Sequence, residues 1–457
     1  MELFDPTDPR PVHFVGIGGA GMSALALIAR RRGVPVSGCD PEPGGAADVA
    51  ALGAQVADRH DPSHVDGVRA VVHTAAVPAD HPELARARAL GVPVVPRKEA
   101  LARLISGGMV VGIAGTHGKT TTTVMTTTAL AAAGMAPTGL AGGRVGQWGG
   151  NARLDGDALF VVEADEYDQA FLALTPTVAV VNNVEADHLE CYGSFEALEE
   201  AFAEFAGRAR HRLIGVDDPG AGRLATRLGS GTLRFGLSEG ADLRVVAVRQ
   251  EAGYTAAELR LPGGRSLAIR LQVPGLHNLR NAAGALGVVH VLGGDVERAA
   301  EALGEFTGVG RRFERLGEFG GVMLVDDYAH HPTELAATLQ AARQAFPGRR
   351  IVAVFQPHLY SRTMAHGEAM GEALAEADLA VVTEIYAARE QPVAGVSGRE
   401  VADAARTRGT DAHFVSDRAK VGAVVRGLLR PGDVVLTLGA GDITRLGPEL
   451  VEWLRAA

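Results

Sequence analysis

The sequence predicts an α/β protein of three domains: a Rossmann-like first domain, a central P-loop-type domain with a small additional sheet, and a Rossmann-like third domain. Three observations point there. Short apolar runs alternate with Ala-, Leu- and Arg-rich stretches of helical length, the pattern of strand-helix-strand units built on parallel sheets. Two of those runs end in glycine-rich turns that open helical stretches. The chain has 457 residues, 47% hydrophobic and 21% charged, enough for about three domains at roughly 150 residues each.

The elements follow in order. Apolar runs at Val12–Val15, Val34–Val36, Ala70–Val72 and Val92–Val95, then a helical stretch Lys98–Ile105, fill residues 1–108. Ser106-Gly107-Gly108 is the joint. Residues 109–312 open on the run Met109–Ala114 and continue through Leu159–Val162, Val178–Val181 and an acidic helical stretch Glu196–Glu204. A region from 230 to 272 alternates polar and apolar residues, which predicts a small antiparallel sheet. In residues 313–457 the alternation restarts at Val322–Val325, Ile351–Phe355, Ala380–Thr383 and Val434–Thr437, and ends in a helix near Leu450.

Composition excludes several classes. With 44 basic against 54 acidic residues the net charge is −10, which disfavours sequence-independent attraction to nucleic acid or anionic membrane. Cys39 and Cys191 are too few for a disulfide framework. The N-terminal residues do not read as a signal peptide, and no long uncharged apolar stretch predicts membrane insertion. The expectation is a cytoplasmic protein without a nucleic-acid partner.

Gly115-Thr116-His117-Gly118-Lys119-Thr120-Thr121 lies between an apolar strand and a helix-compatible stretch. Small residues let backbone N–H groups face a phosphate, the helix N-terminus favours negative charge, Lys119 reaches terminal phosphates, and a threonine hydroxyl can hold Mg²⁺. The loop is shorter than a strict Walker A sequence, which has glycine where this chain has Ile113; ATP is the expected ligand. Gly16-Ile17-Gly18-Gly19-Ala20-Gly21, followed by Met22 and Ser23, matches the dinucleotide fingerprint, and Asp40 stands where a ribose contact is expected. The same turn serves any diphosphate, including UDP.

Glu163-Ala164-Asp165-Glu166-Tyr167-Asp168 gathers carboxylates at a strand end, where Mg²⁺ can be held between phosphate oxygens. Asn182 to His188 follow another strand. Asn278 could read an adenine edge or cap a helix. Asp326 to Thr333 and Gln356 to Arg362 place titratable groups at two further strand ends.

In their order, these motifs together with Arg311-Arg312-Phe313 resemble the Mur ligase family of peptidoglycan synthesis. The resemblance runs from the first glycine turn almost to the end of the chain. It implies ATP-dependent ligation of L-alanine to the lactyl carboxylate of UDP-N-acetylmuramate through an acyl phosphate. Carried over motif by motif, it assigns the UDP diphosphate to Gly16, Gly18, Gly19, Ala20, Gly21, Met22 and Ser23. ATP phosphates go to Lys119 and the backbone from Thr116 onward, and Mg²⁺ to Thr120 or Thr121 with Glu163; His188 serves a second Mg²⁺. Asn278 contacts adenine, Arg312 the terminal phosphate and Asp327 the ribose or its nearby polar network, while Tyr328, His330 and Arg362 line the acceptor site. Two departures stand out: Leu359 replaces an arginine found in many members, and Phe195–Arg210 contains no lysine that could be modified to bridge metal ions. A recycling ligase for a preformed tripeptide is the neighbouring alternative. A nicotinamide-dependent oxidoreductase leaves the second glycine turn without work, and a nucleotide switch leaves the first one unexplained.

Overall fold

β1 (Val12–Val15) is fully buried because it lies in the middle of a sheet. In this computed structural model, which describes residues 2–456 except Ala252 and Arg389, β1 pairs in parallel with β2 (Val36–Cys39) on one side. β3 (Gln55–Ala57) lies beyond β2, and β4 (Ala70–His73) and β5 (Val94–Pro96) lie on the other side of β1. The strands expected at Val34–Val36 and Val92–Val95 both begin one residue after a proline. Pro35 and Pro93 have no N–H for the ladder but still lend their carbonyls, to Val12 and Val71. The helix Ala20–Arg31 starts inside the glycine turn and buries the run from Met22 to Ala29.

The second sheet has ten strands. β6 (Met109–Ala114), β9 (Leu159–Glu163) and β10 (Val178–Val181) form its buried middle. β7 (Thr138–Val145) and β8 (Gly150–Leu154) make a hairpin at one edge, paired through β7 to β9. β11 (His211–Gly215), β12 (Thr232–Gly236), β13 (Leu243–Glu251), β14 (Tyr254–Arg260) and β15 (Ser266–Leu271) follow one another towards the opposite edge. β12 pairs with β13 in parallel, so the alternating region continues the main sheet instead of standing apart.

The β7–β8 hairpin lies on the helix Ala20–Arg31. Asn151 Nδ2 donates to the Ala20 carbonyl at 2.6 Å and to Ser23 Oγ at 2.9 Å. The Arg31 guanidinium donates to the carbonyls of Ala152 and Trp148, and Trp148 is buried in the turn between the two strands. The first sheet and β6 to β12 of the second accordingly belong to one compact unit, comprising Met1–Ala247, Glu258–Ile269 and Arg280–Gly304.

The second unit comprises Val248–Ala257, Arg270–Leu279 and Glu305–Ala457. Its sheet contains β16 (Glu314–Phe319), β17 (Val322–Asp327), β18 (Ile351–Phe355), β19 (Leu379–Thr383), β20 (Asp411–Val415) and β21 (Val434–Leu438), in the order β16-β17-β21-β18-β19-β20. Only β16 is antiparallel, and it closes the edge beside β17. Separate apolar cores cover the two faces, as a parallel sheet requires. The last helix, Leu446–Ala456, carries Trp453 with Arg426 over its ring. Among the described residues, no helix is long and apolar enough to cross a membrane.

Candidate active site

The Gly115–Thr121 turn is held in shape by the segment after β10. Gly118 has φ +79°, and a Cβ there would lie 2.7 Å from Asn281 Oδ1, so the position requires glycine. The Thr116 amide donates to the Asn183 carbonyl at 3.2 Å and the His117 amide to Asn183 Oδ1 at 2.7 Å. Asn182 Nδ2 donates back to the His117 carbonyl and to Thr122 Oγ1. The family resemblance assigns phosphates to the backbone from Thr116 onward; the first two of those amides donate to Asn183. The amides that open the helix Lys119–Ala132 have no intrahelical acceptor.

Four carboxylates that are equivalent in sequence take four different partners. Glu163, the last residue of β9, accepts from Thr120 Oγ1 at 3.3 Å and from the Gly142 amide. Asp165 lies 3.8 Å from Arg97, and Asp168 3.0 Å from Lys98 Nζ. Glu166 is buried and holds Lys119 Nζ with both oxygens at 2.8 Å, while Nζ also donates to the Gly115 carbonyl at 2.7 Å. Burial pulls the Lys119 ammonium down, but Glu166, Asp165 and Glu163 outweigh it and hold its pKa above the usual lysine value. Glu166 was not singled out from sequence; the signal available was its place in the acidic run.

Thr121 is buried in the first turn beside Thr120. His188 has φ +53° and precedes a short helix; its ring lies edge-on to Tyr167, with Asp187 at 3.8 Å and Glu190 at 3.5 Å. Asn278 Nδ2 donates to the Pro274 carbonyl at 2.7 Å. This ties the first turn of the helix Leu276–Val291 to the segment before it.

The first glycine turn closes differently. Gly16 and Ile17 donate to the Cys39 carbonyl, and Gly18 N–H donates to Asp40 Oδ2 at 2.9 Å. Asp40 thus braces the turn from inside. Gly19 precedes the helix that Ala20 starts, and Ser23 Oγ donates to the Gly19 and Ala20 carbonyls, with Met22 buried between them. A Cβ on Gly21 would meet Arg97 Nη1 at 2.6 Å. That contact puts a guanidinium at the helix N-terminus, which the sequence reading missed because Arg97 lies 76 residues away (97 − 21).

In the second unit the groups gather at the carboxyl ends of β17, β18 and β21. Arg311 and Arg312 lie over the Tyr328 ring, at 4.9 and 4.8 Å from its centroid. Asp327 is buried and accepts from the Phe313 and Ala329 amides at 2.6 and 2.8 Å; burial pushes its carboxyl up to about 6 despite Arg312. His330 Nδ1–H donates to the Tyr328 carbonyl at 2.9 Å, which leaves Nε2 as the basic nitrogen. The His330 ring lies 6.0 Å from that of His358, whose Nδ1 accepts from buried Arg362 at 3.2 Å. His331 instead caps the helix Pro332–Ala345 in a capping box with Glu334. Leu359 is buried with φ +70°, so its side chain packs inward.

Matches to known families divide the chain in the same order as its sheets. Residues 11–108 match the Mur ligase family catalytic domain, 113–289 the Mur ligase middle domain and 311–441 the Mur ligase glutamate ligase domain. Among curated relatives, the UDP-N-acetylmuramate--L-alanine ligase of Cutibacterium acnes is 45% identical, with 99% of this chain and 97% of the relative covered. The chain belongs to the Mur ligase family. The Mycolicibacterium vanbaalenii ligase of the same name is 46% identical over 99% of this chain and 98% of its own. The crystal structure of the Thermotoga maritima UDP-N-acetylmuramate-alanine ligase superposes with a TM-score of 0.84 at 31% identity, covering 98% of this chain and 99% of that one. As a Mur ligase the chain is an ATP-dependent ligase.

Proposed function

We propose that this Mur ligase joins L-alanine to the lactyl carboxylate of UDP-N-acetylmuramate at the expense of ATP, in the cytoplasmic assembly of peptidoglycan precursors. The observation that carries the nucleotide half of this reading is Lys119 at a helix N-terminus, followed by Thr120, whose hydroxyl meets Glu163. A carboxylate and an amine form only ions in water, because hydroxide is a poor leaving group. Attack of the lactyl carboxylate oxygen on the γ-phosphorus breaks the bond to ADP and gives an acyl phosphate. The alanine nitrogen then attacks its carbonyl carbon, phosphate leaves and the amine loses a proton.

The chain's residues position and neutralise. Lys119 and the first helical amides hold the phosphate oxygens. The hydroxyl of Thr120 and the carboxylate of Glu163 are hard oxygen donors 3.3 Å apart and fit Mg²⁺, with Thr121 beside them. Bound there, the ion supplies neutralisation of phosphate charge. His188 near Asp187 and Glu190 is the weaker candidate, an imidazole being an occasional ligand for Mg²⁺. The turn from Gly16 to Ser23 and Arg97 hold the UDP diphosphate, Arg312 a phosphate oxygen, and Arg362 an acceptor carboxylate. His330 Nε2 takes the amine proton, and Tyr328 orients it.

The test is phosphate release from Mg-ATP with UDP-N-acetylmuramate, with and without L-alanine, followed by the mass of the product. Alanine-dependent release with one alanine added to the sugar nucleotide is the expected result. Release that requires a tripeptide assigns the protein to the recycling reaction.

A further inference from the structure

Behind β1 and β2, on the sheet face opposite the helix Ala20–Arg31, is a cluster of side chains that ligation does not use. Cys39, at the end of β2, is buried with its Sγ 3.0 Å from Glu83 Oε2, 3.1 Å from His60 Nδ1 and 3.6 Å from His13 Nε2. Glu83, in the first turn of the helix Pro82–Ala89, is fully buried. Its Oε1 lies 2.8 Å from His64 Nδ1, and its Oε2 lies 3.8 Å from both His13 Nε2 and His60 Nδ1. One ligand atom from each of His13, Cys39, His64 and Glu83 falls within 4.8 Å of every other. A tetrahedral centre with metal–ligand bonds of about 2.0–2.3 Å has edges of roughly 3.3–3.8 Å, the scale of this cluster.

Three further features fit a cation. His13 Nδ1 pairs with Ser37 Oγ at 2.9 Å, which turns Nε2 towards the cluster, as outer partners of metal-bound histidines do. A thiolate and a carboxylate would balance the charge of one divalent ion in this buried place. His81 packs edge-on against His60 at 4.6 Å, and its buried Nδ1 has no hydrogen-bond partner among the described residues.

We propose that His13, Cys39, His64 and Glu83 bind one Zn²⁺ ion, with His60 as the alternative imidazole. The mixed sulfur, nitrogen and oxygen set suits zinc rather than the all-oxygen ligation of Mg²⁺. The ion would pin the 60–64 segment and the helix Pro82–Ala89 to β1 and β2. It would also fix Cys39, whose carbonyl holds the first glycine turn.

The experiment uses the full chain, stripped with chelator and titrated with Zn²⁺, then with Co²⁺, in excess Mg²⁺. The expected result is one Zn²⁺ per chain, a higher melting temperature on loading, and a thiolate-to-cobalt charge-transfer band. That band disappears in Cys39→Ser and persists in Cys191→Ser. His64→Ala, at a part-exposed position, weakens Zn²⁺ at least tenfold while circular dichroism stays native, so the test survives a Cys39→Ser chain that fails to fold. No zinc uptake at micromolar concentration, no charge-transfer band, or unchanged affinity in His64→Ala and His60→Ala together overturns the proposal. None of these readouts depends on which amine the enzyme ligates.

Discussion

Two glycine turns of the same strand-loop-helix form, Gly16–Gly21 and Gly115–Thr120, are completed by opposite charges. In the first, a carboxylate, Asp40, occupies the inside of the turn and accepts from Gly18, while the cation, Arg97, stands outside at the helix start. In the second, the cation comes from the turn itself: Lys119 folds back on the Gly115 carbonyl and onto Glu166. Backbone geometry determines where an anion can land; the nearby charges determine which kind of anion the place suits. Under the proposed function, a static diphosphate needs only a recess with a cation at its rim. A phosphoryl group in transfer needs a cation at the leaving oxygens.

The largest effect that sharpens this comparison is expected from Lys119→Ala. Turnover should fall by about 10³-fold or more, as for loss of one preorganised charge contact. The buried Glu166 is left without its cation, which costs on the order of 3–5 kcal/mol of stability. Combining it with Glu166→Gln should restore the melting temperature but not phosphate release. UDP-sugar binding, measured by calorimetry, should be unchanged throughout; a parallel loss would mean that the two turns are not independent.

Asp327 extends the comparison to the third sheet, as a carboxylate that, like Asp40, accepts amides at a turn, but does so in a buried place. Its raised pKa means the native state holds this proton more tightly than the unfolded chain. The group's contribution to stability therefore falls as pH rises from about 4 to about 6 and stays low above that, by roughly 3 kcal/mol in all. Subtracting the stability–pH curve of Asp327→Asn from that of the parent should isolate this fall; a flat difference would contradict the assignment.

Smaller effects separate the two glycines. In Gly118→Ala the new methyl meets Asn281 at positive φ, so KM for ATP should rise by about tenfold to a hundredfold, equivalent to the cost of a strained residue. Gly21→Ala meets only the movable tip of Arg97, and KM for UDP-N-acetylmuramate should rise by about tenfold or less. Asp40→Ala, which loses one brace to Gly18, should raise the same KM by about fivefold, near the worth of one hydrogen bond. An equal rise in KM for ATP would break the distinction between the turns.

The sequence was most informative where chemistry is carried by neighbouring residues. Gly118-Lys119-Thr120 predicts a phosphate turn because glycine, cation and hydroxyl are adjacent, and β6 and its following helix lie as expected. Strand order was not legible: nothing in Thr138–Leu154 reveals a hairpin that reaches the helix Ala20–Arg31. The roles within Glu163–Asp168 were hidden too, since which carboxylate is buried depends on a backbone that turns to positive φ at Asp168. Arg97 and the cluster around Cys39 are assembled from distant segments, so spacing gives no sign of them. At Pro35 and Pro93, which cannot donate to a ladder, the strands start two residues later than the apolar runs that predict them.

The two tryptophans of the chain fall one to each compact unit, Trp148 in the hairpin turn and Trp453 on the last helix. Trp148→Phe leaves an emission signal that belongs to the second unit alone, and Trp453→Phe one that belongs to the first. The two halves of the molecule can therefore be melted and followed separately by fluorescence, without a label.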